Sequence, residues 1–172
     1  SGIGLEMKNI ALVHGANVEI ASRSYNQVDI CNLESVKAYL STIKKKMGHI
    51  DYVVNTAGLL IKKPIDRLSI EELTSLIGVN YTGAVNVAIA AKPYLLETSG
   101  MLMNFTSSSY TRGRAFYAVY SSTNAAIVNF TQALAEEWSN EGIRVTCINP
   151  ERTATPMRTA NFGIEPAGLL LS

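Results

Sequence analysis

Apolar residues in the amino-terminal part of the chain alternate between helical spacing and a short extended run. One stripe at helical spacing ends at Gly15 and consists of Ile3, Met7, Ile10, Ala11 and His14. Residues 17–21 follow it and predict a short strand. A second stripe begins after the N-cap residue Asn32, ends at Gly48, and consists of Val36, Leu40, Ile43 and Met47. The pattern therefore predicts helix, strand and helix in that order.

The rest of the chain continues this alternation. Residues 51–55 predict a buried strand, and residues 101–105 and 144–148 predict two more. Ser69 and Glu72 form a capping-box match that opens a long helix running toward Pro93, and residues 117–139 predict another, with Gly142 as its stop. Strands that alternate with helices imply right-handed crossovers and a parallel sheet. The predicted fold class is therefore α/β, a doubly wound, Rossmann-like sheet in a single domain over residues 1–172.

Composition narrows the class of protein. The chain has 172 residues, of which 47% are hydrophobic and 17% charged, with a net charge of +1. This balance suits one globular domain and gives no electrostatic case for nucleic acid or an anionic membrane. Because no apolar run reaches about 18 residues and no signal peptide is visible, we expect a cytoplasmic protein. Cys31 and Cys147 lie in apolar runs and predict buried thiols, and their spacing predicts no metal site.

A tyrosine and a serine form the main chemical signal of the sequence. Tyr120 lies thirteen positions after Ser107, and the tetrapeptide Asn55-Thr-Ala-Gly58 precedes both. This order resembles the short-chain dehydrogenase/reductase family, in which a helical tyrosine donates a proton while a nicotinamide cofactor moves hydride. The family motif is Tyr-x-x-x-Lys, whereas here the fourth position after Tyr120 is Asn124.

The resemblance implies roles for four residues. Tyr120 would be the general acid, Ser107 would polarise the substrate carbonyl, and Asn80 would hold a water in a proton relay. Asn124 could hydrogen-bond the nicotinamide ribose but supplies no charge. A unit charge about 4 Å from a phenolate is worth up to about 4 kcal/mol at an effective dielectric of about 20, or about a thousandfold in acidity. Natural variation, an engineered change and a pseudoenzyme remain open as origins of Asn124.

The resemblance also implies a dinucleotide site. Gly2 and Gly4 lie before a predicted helix, where backbone N–H groups can approach a pyrophosphate. Ser22-Arg23 follows the predicted strand at 17–21, and an arginine there can pair with a 2′-phosphate, so the expected cofactor is NADP(NADPH). The remaining family matches to the cofactor are Ile3, Asp29, Ile30, Asn55, Ala57, Gly58, Pro150, Thr153 and Thr155.

The two ends of the sequence match only part of the family pattern. The chain opens on Ser1-Gly-Ile-Gly4, which matches the second half of the family's glycine-rich loop. The family's first strand, which is central in such a sheet, and its carboxyl-terminal strand have no counterpart in the sequence. We therefore expect a fold that lacks these two strands and a chain that is part of a longer polypeptide.

Four arginines indicate the substrate. Arg112 and Arg114 follow the serine segment, and Arg152 and Arg158 flank Thr155. In a doubly wound sheet both loops lie at the carboxyl ends of the strands, so these arginines could clamp a substrate phosphate; a solvated loop rim is the alternative.

Three segments sharpen the resemblance: residues 107–117, residues 149–158 and the short link from Arg23 to Asp29. Together they resemble the reductase portion of bacterial bifunctional CDP-ribitol synthases. That resemblance implies reduction of ribulose 5-phosphate to ribitol 5-phosphate, a fused cytidylyltransferase domain and a homo-oligomer, either dimer or tetramer. The alternative function is a nucleotide-binding or dimerisation module of the same fold with weak or no catalysis, which Asn124 favours.

Overall fold

The computed structural model describes residues 1–171 and, for Ala167, the backbone only. Helix α1 spans Gly2–Val13, the one-turn helix α2 spans Arg23–Asn26, and α3 spans Leu33–Met47. Strand β1 spans Tyr52–Asn55 and is followed by α4, Ile70–Ile77, and α5, Gly83–Thr98, which are joined by a π-helical turn over Gly78–Thr82. Strand β2 spans Met101–Phe105, α6 spans Ala118–Trp138, β3 spans Arg144–Ile148 and α7 spans Pro156–Phe162.

The strands form a parallel sheet, as the alternation of elements predicts. Within residues 1–171 the sheet has three strands in the order β1-β2-β3. Asn55 pairs with Asn104 across β1 and β2, and Phe105 pairs with Ile148 across β2 and β3. Because the pairing is parallel and in register, the carboxyl ends of all three strands lie at one edge of the sheet, where such folds bind ligands. The predicted α/β, Rossmann-like class is confirmed.

The hydrophobic core lies between the sheet and the helices. α3 packs on α5, and α5 and α6 both contact the strands. Leu95 on α5 and Leu102 on β2 have no exposed surface, and Trp138 closes the core at the end of α6. Caps fix the helix starts as the sequence predicts, since the side chain of Asn32 accepts from the Ser35 N–H and Ser69 makes a complete capping box with Glu72.

The prediction of a strand at residues 17–21 is correct in backbone conformation but wrong in strand pairing. The segment is extended, but in the described part of the chain it pairs with no strand. Side chains hold it instead, because Asn26 donates to the Ile20 carbonyl and Lys46 forms an ion pair with Glu19. Local sequence favours an extended backbone here, whereas ladder hydrogen bonds need a neighbouring strand.

Three further expectations need correction. β1 is half exposed rather than buried, with Tyr52 at 60%, because among residues 1–171 only β2 pairs with it. Cys31 is exposed rather than buried because it lies in the turn before α3, whereas Cys147 is partly buried in β3; both are free thiols. The long helical run continues past Pro93 to Thr98.

That run, Ile70–Thr98, passes the length and composition test for a membrane span, with a mean hydropathy of 1.3. This is weak evidence for a membrane protein, since the buried helix of a folded core passes the same test. Here α5 contributes Val87, Ala91 and Leu95 to the core.

Two adjacent leucines on α5 provide a matched test of this packing. We expect Leu95→Ala to lower the free energy of unfolding by about 2–5 kcal/mol, because it removes a fully buried side chain. Leu96→Ala, at a position 48% exposed, should change it by no more than about 0.5 kcal/mol. Chemical denaturation of both variants measures the two values, and equal losses would contradict the described core.

Candidate active site

The loops that follow β1, β2 and β3 surround a cavity of about 360 Å³. Residues from each predicted group line it: two proposed catalytic residues, four proposed cofactor residues and three of the four arginines. These residues are Ser107, Tyr120, Ile3, Pro150, Thr153, Thr155, Arg114, Arg152 and Arg158. The parallel sheet thus brings together residues that lie as far apart in sequence as positions 3 and 158.

Tyr120 and Ser107 lie on the same wall of the cavity. Tyr120 is half-buried in the first turn of α6, and Ser107 follows β2 and accepts hydrogen bonds from the backbone and side chain of Ser109. Burial raises the pKa of Tyr120 above its ordinary value, while the neighbouring polar side chains of Ser107 and Asn124 act in the opposite direction. The phenol is therefore protonated at neutral pH and can donate a proton, but it is a weak acid.

Asn124 lies one helical turn after Tyr120 and is buried. Its side-chain amide donates to the Tyr120 carbonyl at 2.8 Å, and its own carbonyl accepts from the Thr106 hydroxyl at 2.9 Å. The residue thus links α6 to the end of β2 through neutral hydrogen bonds. It brings no positive charge toward the phenol, in contrast to a lysine at this position.

Asn80 interrupts the helical run at the π turn between α4 and α5. Its side-chain oxygen accepts from the Leu59 N–H at 2.7 Å, and its side-chain amide donates to the Leu59 carbonyl at 2.9 Å. The same amide contacts the Thr123 hydroxyl at 3.3 Å on α6. Asn80 is buried. Its hydrogen bonds hold the loop after β1 against α6, the helix that carries Tyr120.

The amino-terminal end of α1 lies beside the cavity. Gly4 packs on Thr56 so closely that a Cβ would overlap the Thr56 hydroxyl. Among the described residues, no side chain caps the first turn of α1 and none in that turn is acidic. Free N–H groups at the positive end of a helix suit a pyrophosphate, so Gly2, Ile3 and Gly4 fit a dinucleotide. The two glycines lie within the first turn of the helix rather than before it.

The remaining predicted cofactor residues lie outside the described cavity lining. Ser22 caps α2, and the Arg23 guanidinium lies 3.2 Å from the Asp29 carboxylate. The backbone N–H of Cys31 and the charge of Arg23 hold the pKa of Asp29 below its usual range. Arg23 remains 70% exposed and can reach a ligand. Ile30 lies in the turn before α3, Asn55 ends β1, and Ala57 and Gly58 lie in the loop after β1.

The tetrapeptide after β1 forms a compact turn. The Ala57 N–H donates to the Asn55 side-chain oxygen at 3.2 Å. Asn55 also contacts Asn104 of β2 at 3.5 Å, and Asn104, which has no exposed surface, donates to Thr131 of α6 at 3.1 Å. This buried polar chain ties β1, β2 and α6 together beneath the cavity.

The four arginines have different surroundings. Arg114, Arg152 and Arg158 line the cavity, whereas Arg112 lies outside its described lining. Arg158 is partly buried, and the other three are exposed. Arg158 already holds a carboxylate, because its Nε and Nη2 atoms lie 2.6 and 2.8 Å from the two oxygens of Glu165. The proposed phosphate clamp therefore contains one arginine that is paired within the chain.

Sequence reasoning did not single out nine of the residues that line the cavity, and three of these, Tyr117, Phe162 and Glu165, make contacts that shape the site. The Tyr117 ring packs edge-on against Tyr120 at 6.1 Å and against Phe162 at 6.0 Å. Phe162 in turn lies beneath two cations, Lys62 at 4.7 Å and Arg158 at 4.8 Å. Tyr117 could have been found from its position one turn before Tyr120. Phe162 and Glu165 carry no sequence signal, because only the packing of α7 and of the segment after it brings them to the cavity.

Comparisons with known proteins identify the family. A parallel α/β sheet with its cavity at the carboxyl ends of the strands defines the Rossmann-like class. A family model described as short chain dehydrogenase matches residues 6–163. The chain belongs to the short-chain dehydrogenase family, as the order of Ser107 and Tyr120 predicts.

Individual proteins add detail. The bifunctional ribulose 5-phosphate reductase/CDP-ribitol pyrophosphorylase of Haemophilus influenzae is 51% identical over 99% of this chain, which spans 36% of that protein's length. The resemblance to bifunctional CDP-ribitol synthases is thus confirmed.

Two solved structures show the same architecture. A gluconate 5-dehydrogenase from Burkholderia cenocepacia, solved with NADP and tartrate, is 26% identical at a TM-score of 0.73, and the match covers 77% of this chain and 52% of that one. A 3-ketoacyl-(acyl-carrier-protein) reductase from Brucella melitensis, solved with NADH, is 28% identical at a TM-score of 0.75, over 79% of this chain and 59% of that one.

Proposed function

We propose that this chain is the reductase part of an enzyme that uses NADPH to convert ribulose 5-phosphate to ribitol 5-phosphate. The observation that carries the proposal is the meeting of Ser107 and Tyr120 with Arg114, Arg152 and Arg158 around one cavity. A hydroxyl pair suits a substrate carbonyl, and several guanidinium groups suit a phosphate. The relative from Haemophilus influenzae, which carries a ribulose 5-phosphate reductase in its name, supports the same substrate.

The chemistry of the site follows from its side chains. A reduced nicotinamide bound beside Ile3 and Thr155 would supply the hydride to the carbonyl carbon. Ser107 donates a hydrogen bond to the carbonyl oxygen, and Tyr120 donates the proton that completes the alcohol. Asn80 holds the loop after β1 in place, consistent with its proposed part in a proton relay. With Asn124 in place of lysine, Tyr120 lacks a cation that would stabilise its phenolate.

The proposed cofactor preference is NADPH over NADH. Arg23 follows Ser22 at the start of α2 and is mostly exposed, and its guanidinium can form a charge-assisted pair with a 2′-phosphate. The related structures hold NADP in one case and NADH in the other, so the family as a whole accepts both.

The proposed partners come from the same comparison. The Haemophilus influenzae relative joins a reductase to a pyrophosphorylase, and a fused cytidylyltransferase domain is proposed here. A homo-oligomer, dimer or tetramer, is proposed through the long helices, which expose Ile77 and Ile89. A cytoplasmic location fits a phosphorylated sugar substrate.

The competing function is a nucleotide-binding or dimerisation module with little turnover, which the raised pKa of Tyr120 favours.

The first prediction concerns the cofactor. We expect the parent protein to bind NADPH more tightly than NADH by about 1–3 kcal/mol, the range for a hydrogen bond to a charged group. Arg23→Asp should reverse this order, whereas Arg67→Asp, the same charge change in a distant surface turn, should keep it. Dissociation constants from fluorescence titration measure the preference, and equal affinities in the parent protein would refute it.

The second prediction concerns the substrate phosphate. We expect Arg114→Ala and Arg152→Ala to raise KM for ribulose 5-phosphate by about tenfold or more each, because each removes a charge-assisted hydrogen bond worth about 1.5–3 kcal/mol. KM for unphosphorylated ribulose should change little. Arg112→Ala, which changes an arginine of the same loop outside the described cavity lining, should have the smaller effect. If both substrates respond alike, the arginines act on the fold and not on the phosphate.

The third prediction concerns Asn124. We expect weak turnover in the parent protein, lower by about ten- to a thousandfold than with a lysine, since about 1.4 kcal/mol is worth tenfold in rate. Asn124→Lys should lower the pKa of Tyr120 and raise the rate. In the oxidation direction, which needs the phenolate, activity rises with pH up to the pKa of Tyr120, so its profile should move to lower pH.

Two variants control this test. Asn124→Met has about the length of lysine without its charge and should not restore the rate, and Tyr120→Phe should abolish whatever activity remains. Steady-state oxidation of NADPH with ribulose 5-phosphate measures all three. Vigorous turnover of the parent protein that Asn124→Lys leaves unchanged would show that another cation has taken the place of the lysine.

A further inference from the structure

The ion pair between Arg158 and Glu165 has the geometry of an arginine bound to an anionic ligand. Two guanidinium nitrogens face the two carboxylate oxygens at 2.6 and 2.8 Å. Each side chain is only about a fifth exposed, so water screens the pair weakly. Phosphate oxygens accept from arginine in the same parallel arrangement.

The pair lies on the wall of the cavity that holds Ser107 and Tyr120. The hydrogen bonds from Arg158 hold the pKa of Glu165 below its usual range, and the charge of Arg152 acts in the same direction. Glu165 is thus an ionised carboxylate in contact with Arg158, in a cavity that Arg152 also lines. The Glu165 carboxylate thus occupies the position on Arg158 that a substrate phosphate would need.

The segment that carries Glu165 can leave the cavity without disturbing the core. Gly163, just after α7, has a φ of +76°, and its Cβ position has no atom within 4 Å, so the backbone bends there in open space. Ile164 is 97% exposed and contributes no packing. Beyond it, backbone hydrogen bonds join Leu171 to Arg152 and Ala154 and hold the far end of the segment.

We propose that Glu165 is a specificity-determining residue that occupies the anion position on Arg158 until a phosphate-bearing substrate replaces it. The inference rests on the proposed function, since it assigns Arg158 to the substrate phosphate. A phosphomonoester carries more charge than a carboxylate and offers an additional oxygen, so it can take both Arg158 and its neighbour Arg152.

A neutral sugar has nothing with which to displace Glu165. The carboxylate then stays on Arg158 and lies in the cavity beside the catalytic pair. Glu165 therefore selects for phosphomonoesters of small keto-sugars by exchange of one anion for another.

Hydrogen exchange of backbone amides tests whether phosphate displaces Glu165 in the full protein, with inorganic phosphate as the probe. We expect phosphate to speed exchange in residues 163–166, at the N–H groups of Gly163, Ile164 and Glu165, because it releases Glu165 from Arg158. Sodium chloride at equal ionic strength should have a much smaller effect. In Glu165→Gln the exchange should already be fast and insensitive to phosphate. An unchanged rate with phosphate, or an equal response to chloride, would overturn the proposal.

Kinetics supply the second measurement. We expect Glu165→Gln to lower both the inhibition constant of inorganic phosphate and KM for ribulose 5-phosphate by about tenfold, or about 1.4 kcal/mol, because the competing charge is gone. Glu34→Gln, which breaks an exposed ion pair with Lys37, should leave both constants unchanged. If Glu165→Gln instead raises both constants, Glu165 positions Arg158 for binding and does not compete with phosphate, and the proposal is wrong.

The two measurements separate this inference from the proposed function. Absence of turnover with ribulose 5-phosphate would remove the proposed substrate, while the response of residues 163–166 to phosphate would still decide the role of Glu165. Turnover of ribulose 5-phosphate without any response of that segment would leave the function in place and refute the exchange.

Discussion

Parallel, in-register pairing of three short strands is the constraint on which the rest of this structure depends. Because Asn55, Asn104 and Cys147 stand level across β1, β2 and β3, the loops that follow these strands leave the sheet at the same height. Those loops line much of the cavity, and the start of α1, the first turn of α6, α7 and the segment after α7 complete its wall. The fully buried Asn104 reinforces the pairing, since it links β1 to α6 through hydrogen bonds that would be costly to leave unmade.

The packing of the helices on this sheet also sets the acidity of Tyr120. α6 packs against β3 and the turn after β2, which buries Tyr120 and raises its pKa. Burial of this kind usually accompanies a compensating charge at a catalytic site. Here the neighbour one turn along is Asn124, which satisfies its hydrogen bonds within the chain and leaves the phenol neutral. The described residues have the short-chain dehydrogenase fold, while the residue four positions after Tyr120 differs from the family pattern.

The positive charges around the cavity are partly balanced by other side chains of the chain. Three arginines on one wall would repel each other without an anion, and Glu165 supplies one from the segment after α7. Phe162 presents its ring to Arg158 and Lys62, so cation–π contacts add to the stabilisation that the carboxylate gives these cationic side chains. This arrangement of charge is the basis of the proposed phosphate site.

The sequence by itself determined the elements, their order and the family. Helical stripes, the caps at Asn32 and Ser69 and the strand runs are local signals, and the structure follows them because local preference and burial agree there. The spacing of Ser107 and Tyr120 likewise predicted a shared site. Only the tertiary structure decided which residues meet: that 17–21 has no strand partner in the described chain, that Cys31 is exposed, and that Glu165 pairs with Arg158. These outcomes depend on contacts between distant parts of the chain, and no local pattern encodes such contacts.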